Sequence, residues 1–171
     1  VAPPGAKPMV VLEVCYSGDL ATGEKVIAPL RTFIKPLADQ VKAMPYLKLQ
    51  TGGDEANAAG RNYYVKSGFV ESVDPRLLDA MTTGFSAAAG RTTVMVLQQL
   101  GGAIGRVRPD ATAFNHRKAS FDLLVLGSWE DPGQTPQHST WVKEFWSSLE
   151  SYTRGFARRR HSGTEPRLGE S

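Results

Sequence analysis

Gln98-Gln99, His116-Arg117 and the cluster Asn62-Tyr63-Tyr64-Val65-Lys66 are the residues of this chain best suited to hold or react with a small polar molecule. An imidazole in a polar turn exchanges protons near neutral pH, a guanidinium pairs with anions, and amides within an apolar strand bind a ligand without bringing a charge. Gln50 stands in a similar place, at the edge of a glycine-rich connection. Each has an ordinary structural reading too: His116 as a hydrogen-bonded turn residue, the glutamines and Asp122 as solvent-facing positions or strand ends. Other chemistries fit less well. Gly101-Gly102-Ala103-Ile104-Gly105 departs from the dinucleotide fingerprint, and Arg106-Val107-Arg108-Pro109 predicts no helix behind it to hold a phosphate; the pair reads as a bend where a strand leaves a sheet. No Gly-x-Ser-x-Gly elbow is present, and His116, His138 and His161 lack metal-ligand spacing, so neither that type of hydrolase nor a metal site is expected. Cys15 is the single cysteine, which rules out an internal disulfide, and its apolar neighbours predict a buried, unreactive thiol.

The elements that must position these residues follow from periodicity. Val10, Leu12, Val14 and Tyr16 alternate and predict a strand over Met9 to Tyr16; Arg61 to Phe69, Thr92 to Leu100 and Phe121 to Trp129 predict three more. Val26, Ile27, Leu30, Phe33, Ile34, Leu37 and Val41 recur at helical spacing behind the caps Asp19 and Thr22, with Pro29 predicting a kink or a late start. Met44 to Gly60 reads as a mobile connection. Asp74-Pro75 and Thr135-Pro136 each combine a side-chain acceptor with a proline where its missing N–H costs nothing, and so start two further helices. The result is an α+β fold: a mainly antiparallel sheet of about four strands with about three helices covering one face.

Charge and length bound the partners. The chain of 171 residues carries 20 Lys+Arg and 17 Asp+Glu, but residues 1–153 hold 15 of each, so the excess of +3 lies in the last 18 residues. The body is neutral, and no nucleic-acid groove is expected. No apolar run approaches the roughly 20 residues of a membrane span, which predicts a soluble chain with the cytoplasm as the expected compartment. Residues 1–8 read as a linker, 9–153 as one domain, and 154–171 as a disordered arginine-rich tail of foreign or frame-shifted character.

The ordered set Pro45-Tyr46-x-x-Leu49-Gln50, Tyr64-x-Lys66-Ser67-Gly68-Phe69, Leu100-Gly101-Gly102-Ala103, Ala113-Phe114-x-His116-Arg117 and Leu123 to Trp129 resembles the substrate domain of bacterial FAD-dependent oxidoreductases related to berberine bridge enzyme and flavin-linked sugar oxidases. The resemblance covers about residues 8–153. It implies FAD as cofactor, an FAD domain expected upstream, and a sheet that presents side chains to a small-molecule substrate whose hydride passes to flavin. Gln50, Tyr64, Lys66, Gln98, Gln99, His116 and Arg117 are then candidates for the substrate side, with no catalytic residue assigned. Alignment on Trp129 puts the carboxylate base of the plant branch at Leu124, and where the family continues into a Tyr-Val-Asn strand this chain has Gly155-Phe156 and its tail. The expectation is a substrate-binding portion of an oxidoreductase acting on an alcohol, sugar or amine, inactive alone. The alternative is a stand-alone α+β ligand-binding or dimerisation module without enzymatic activity, in which a homodimer would form through an exposed sheet face.

Overall fold

Alternation and capping build most of the elements where the residues call for them. A computed structural model of the protein describes residues 7–55, 57, 59–87 and 92–156. They fall into two units, one of Val11–Ala59 and one holding the rest.

In the first unit, α1 (Leu20–Phe33) starts where the Asp19 carboxylate accepts from the Thr22 backbone N–H at 2.8 Å. The Thr22 hydroxyl, donating to the same carboxylate, and with it that backbone bond hold the Asp19 carboxyl below its ordinary pKa. Pro29 lies inside the helix, and the helical spacing expected to run on to Val41 stops at Phe33. The C-cap Ile34 is extended at φ −148° and ψ 145°, and Pro36, two residues beyond it, cannot continue the helix. A second, five-residue helix, α2 (Tyr46–Gln50), breaks the stretch expected as plain connection. Among the described residues the strand expected over Met9 to Tyr16 does not form, and Cys15, expected buried, is exposed. Alternation sorts side chains to two faces but supplies no ladder partner, and without a ladder no strand forms.

The other unit contains β1 (Asn62–Val70), α3 (Pro75–Ser86), β2 (Thr92–Gln99), the single turn α4 (Ala103–Arg106), β3 (Phe121–Trp129), α5 (Thr135–Leu149) and β4 (Arg154–Phe156). The strands form one antiparallel sheet in the order β2-β3-β1-β4. Arg154 to Phe156, counted with the tail in the sequence, thus close the sheet beside Gly68 and Phe69. The rest of the tail lies outside the described residues.

Register divides the sheet into two faces. Val70, Leu123, Val125, Met95 and Leu97 share the face on which α3 and α5 pack, and with Leu77, Met81, Phe85, Val142, Phe145, Trp146 and Leu149 they make the core. Gly84 and Gly127 let the layers close: a Cβ at Gly84 would lie 2.2 Å from the Phe145 ring, and one at Gly127 3.0 Å from Val142. The α3 cap is the expected one, with Asp74 accepting from the Leu77 N–H at 3.0 Å. The α5 cap is not. Its N-cap is Gln134, and Thr135 instead accepts a hydrogen bond from the Trp129 indole N–H at 2.9 Å, tying the helix start to the end of β3.

Candidate functional site

The second face of the sheet carries no long helix of its unit. Its side chains are Tyr63, Val65, Ser67 and Phe69 from β1, Asp122, Leu124, Leu126 and Ser128 from β3, and Val94, Val96 and Gln98 from β2. Val96 is 39% exposed. One transverse row carries two polar residues: Gln98 pairs with Asp122, and Asp122 in turn with the apolar Phe69.

The turn before β3 closes over that row. His116 stacks on Phe69, ring centroids 4.1 Å apart and planes 18° from parallel, while Phe114 meets Phe69 edge-on at 5.7 Å. The Arg117 guanidinium lies 4.8 Å from the Phe114 ring centre and donates to the Ile104 carbonyl and the Thr112 hydroxyl. An apolar face rimmed by an imidazole, a carboxylate and an amide can hold a small organic molecule against aromatic surface and exchange a proton with it. Leu124 lies two residues from Asp122 on this same face, so the position implied for a carboxylate base is apolar and a carboxylate stands one strand step away.

The sequence candidates do not all meet there. Gln98, His116 and Arg117 gather at this end of the second face. Tyr64, Lys66 and Gln99 belong by register to the helix-covered face, opposite Gly127, Val125 and Phe121. Tyr64 packs against the core, with the Lys143 ammonium 5.4 Å from its ring centre. Gln50 sits in the other unit, on a cleft of about 860 Å³ shared with Asp39, Lys42, Lys48 and Leu49. Phe69 is not legible as a site residue because an aromatic in a strand reads as core, and its half-buried company, His116, comes from a turn 47 positions away.

A second polar cluster, also unforeseen, lies where β1 begins and β3 ends. Arg61 donates to the Ser128 hydroxyl at 3.0 Å and to Glu130 at 2.7 Å, and His138 stacks on Trp129 with ring planes 3° apart and centroids at 5.0 Å. These residues line a cleft of about 350 Å³ with Asp131 and Gln134.

The Gly101-Gly102 bend does not fit the role of a phosphate loop for FAD. Gly101 and Gly102 have φ of +128° and +51°, yet a Cβ on either would touch nothing, so they serve the bend rather than the close approach of a phosphate. A one-turn helix does follow them, contrary to expectation, but the Ile104 N–H is spent on the Gly101 carbonyl at 3.0 Å. Arg108 is paired with Asp110 at 2.8 Å, which pushes the Asp110 carboxyl down and the guanidinium up in pKa. Among the described residues no group of three or more His, Cys, Asp or Glu side chains is placed to hold a metal, and no helix is long and apolar enough to cross a membrane.

No family model matches the chain. It is 29% identical over 138 residues to YgaK, an uncharacterized FAD-linked oxidoreductase of Bacillus subtilis strain 168, covering 77% of this chain and 30% of that protein. It is 22% identical over 159 residues to an FAD-linked oxidoreductase of Dictyostelium discoideum, covering 92% and 35%. The chain thus spans about a third of the length of these relatives. Among solved structures, BBE-like 1 of Physcomitrella patens superposes with a TM-score of 0.65 at 16% identity, over 80% of this chain and 33% of that one. CrmK, a flavoenzyme of caerulomycin biosynthesis, superposes with a TM-score of 0.62 at 22% identity, over 77% and 28%. Homologues of this chain are FAD-linked oxidoreductases, its fold is shared with berberine bridge enzyme-like proteins, and FAD is the cofactor of those homologues.

Proposed function

We propose that this chain is the substrate-facing portion of an FAD-linked oxidoreductase, inactive alone, and that the second face of its sheet forms one wall of the cavity in which an alcohol, sugar or amine is oxidised. The observation that carries the reading is the polar row Gln98-Asp122 set beside the Phe69-His116 stack, on the one face that α3 and α5 leave free. FAD, when bound, supplies the hydride acceptor. The chain's own part is to bind and orient. Phe69, Leu124 and Val96 offer apolar surface to the substrate carbon skeleton, and Gln98 hydrogen-bonds a hydroxyl or amine. Asp122 and His116 are the groups that exchange the proton released as the substrate carbon is oxidised.

The test is a chimera in which this chain replaces the matched segment of YgaK. The isolated chain is expected to bind no stoichiometric FAD. The chimera is expected to retain flavin, and Asp122→Asn and Gln98→Ala are expected to slow flavin reduction by a panel of sugars, alcohols and amines at least about tenfold with flavin occupancy unchanged. Stoichiometric FAD binding and turnover by the isolated chain, or full-rate reduction in both variants, would overturn the reading.

A further inference from the structure

Arg117 carries a charge with no carboxylate set against it. Its guanidinium donates to two neutral acceptors, the Ile104 carbonyl at 3.4 Å and the Thr112 hydroxyl at 2.5 Å. Among the described residues no carboxylate forms an ion pair with it. Its Nε is buried and has no hydrogen-bond partner. An arginine stays protonated whatever surrounds it, so a half-buried guanidinium with an idle donor lacks an anion, and a carbonyl and a hydroxyl do not supply one. The two acceptors and the Phe114 ring, 4.8 Å away, already hold the group in place, which lowers the entropy cost of receiving that anion.

The surroundings say what kind of anion. Residues 101–120 hold Arg106, Arg108, Arg117 and Lys118 against Asp110 alone, and Asp110 is taken by Arg108 at 2.8 Å. The turn before β3 is therefore a cationic rim on a chain whose first 153 residues are neutral in total, and it draws an anionic molecule toward the second face of the sheet. Arg117 adjoins His116, whose ring lies on Phe69 in the row of Asp122 and Gln98. A carboxylate is attracted by Arg117 and repelled by Asp122. An acid bound here thus turns its carboxylate to the rim and its hydroxyl-bearing carbon to the row. The planar carboxylate also matches the fork of a guanidinium, which a lone hydroxyl does not.

We infer that the substrate is an alcohol that carries a carboxylate, a uronic acid or a hydroxy acid, and that Arg117 selects it by binding that carboxylate. The inference deepens the proposed function and rests on it, since it names the substrate class of the same face.

The YgaK chimera is given substrates in pairs that differ in a carboxylate: glucuronate with glucose, galacturonate with galactose, lactate with propylene glycol. In at least one pair, kcat/KM for flavin reduction is expected to be about tenfold or more higher for the acid. Arg117→Leu is expected to remove that preference, and Arg117→Lys to keep part of it. The acid-to-neutral ratio is the readout, because a merely structural role for Arg117 lowers both members of a pair alike. No acid preference in any pair, or one that survives Arg117→Leu, overturns the inference, and the proposed function stands if Asp122→Asn still slows reduction. Full-rate reduction in Asp122→Asn and Gln98→Ala, with an acid preference that Arg117→Leu abolishes, overturns the polar row and leaves the carboxylate site standing. An acidic side chain or a flavin phosphate from the rest of the enzyme is the other source of an anion. It is assigned, and the inference overturned, if Arg117→Leu empties the chimera of flavin or unfolds it while the same change leaves the isolated chain folded. If no member of any pair reduces the flavin, the isotope-labelled 171-residue chain is titrated with glucuronate and with glucose. A shift of the Arg117 Nε–H resonance with the acid alone supports the inference; equal shifts, or none, overturn it.

Discussion

Asp74 ties local structure to solution conditions through one hydrogen bond. Its carboxylate accepts the Leu77 N–H, and that bond holds its pKa below the ordinary carboxylate value. A depressed folded-state pKa means the cap's stabilisation is complete above the unfolded carboxyl range, near about 4, and is lost as pH falls through the lower folded value. Asp74→Asn keeps a side-chain acceptor, so the wild-type advantage over it in thermal unfolding is expected near neutrality and should vanish in acid; Asp74→Ala should unfold several degrees lower at every pH above that range. Apart from the proton exchange proposed for it, His116 contributes to stability by packing on Phe69. His116→Ala is expected to cost about 1 kcal/mol through the lost stack on Phe69, read by denaturant melts. Sequence placed His116 and Arg117 in a polar turn correctly, but nothing local says that the ring lies on Phe69, because that contact joins residues far apart in the chain.

At the scale of elements, β1, β2, β3, α3 and α5 were legible because their own residues carry both signal and partner. Each strand has a neighbour in the same sheet, and each of the two helices carries an apolar stripe that meets the core. Val10 to Tyr16 carries the same alternation but forms no strand, and α1 ends at Phe33, before Pro36, rather than where its spacing ends. Local pattern specifies which face of an element is apolar, and only the remaining chain decides whether that face is met. The α3–α5 contact offers a clean check, since Gly84 leaves room for no more than a hydrogen beside Phe145. Gly84→Ala adds a good helix former, yet overpacking is expected to dominate and destabilise by about 1–3 kcal/mol in urea unfolding. Leu123→Ala, which empties a fully buried position between the sheet and its helices, is expected to cost about 2–5 kcal/mol.

At the scale of the whole molecule, the two units differ in what they can do alone. The sheet with α3 and α5 has a core of its own, while Val11–Ala59 exposes most of its apolar residues. The chain spans about a third of the length of the FAD-linked oxidoreductases it resembles, and the surface proposed to face substrate lies on the sheet. The substrate wall is the central claim, and thiol labelling tests it most directly. Val96→Cys is made in a Cys15→Ser background, with Leu78→Cys on the outer side of α3 as a control. Maleimide is expected to label Cys at position 78 equally fast in the chain and in the flavin-loaded YgaK chimera. At position 96 it is expected to label the chain readily and the chimera about tenfold more slowly or less, with any label that enters shifting the flavin absorbance. Equal rates at position 96 in both proteins, with an unshifted flavin spectrum after labelling, would contradict it.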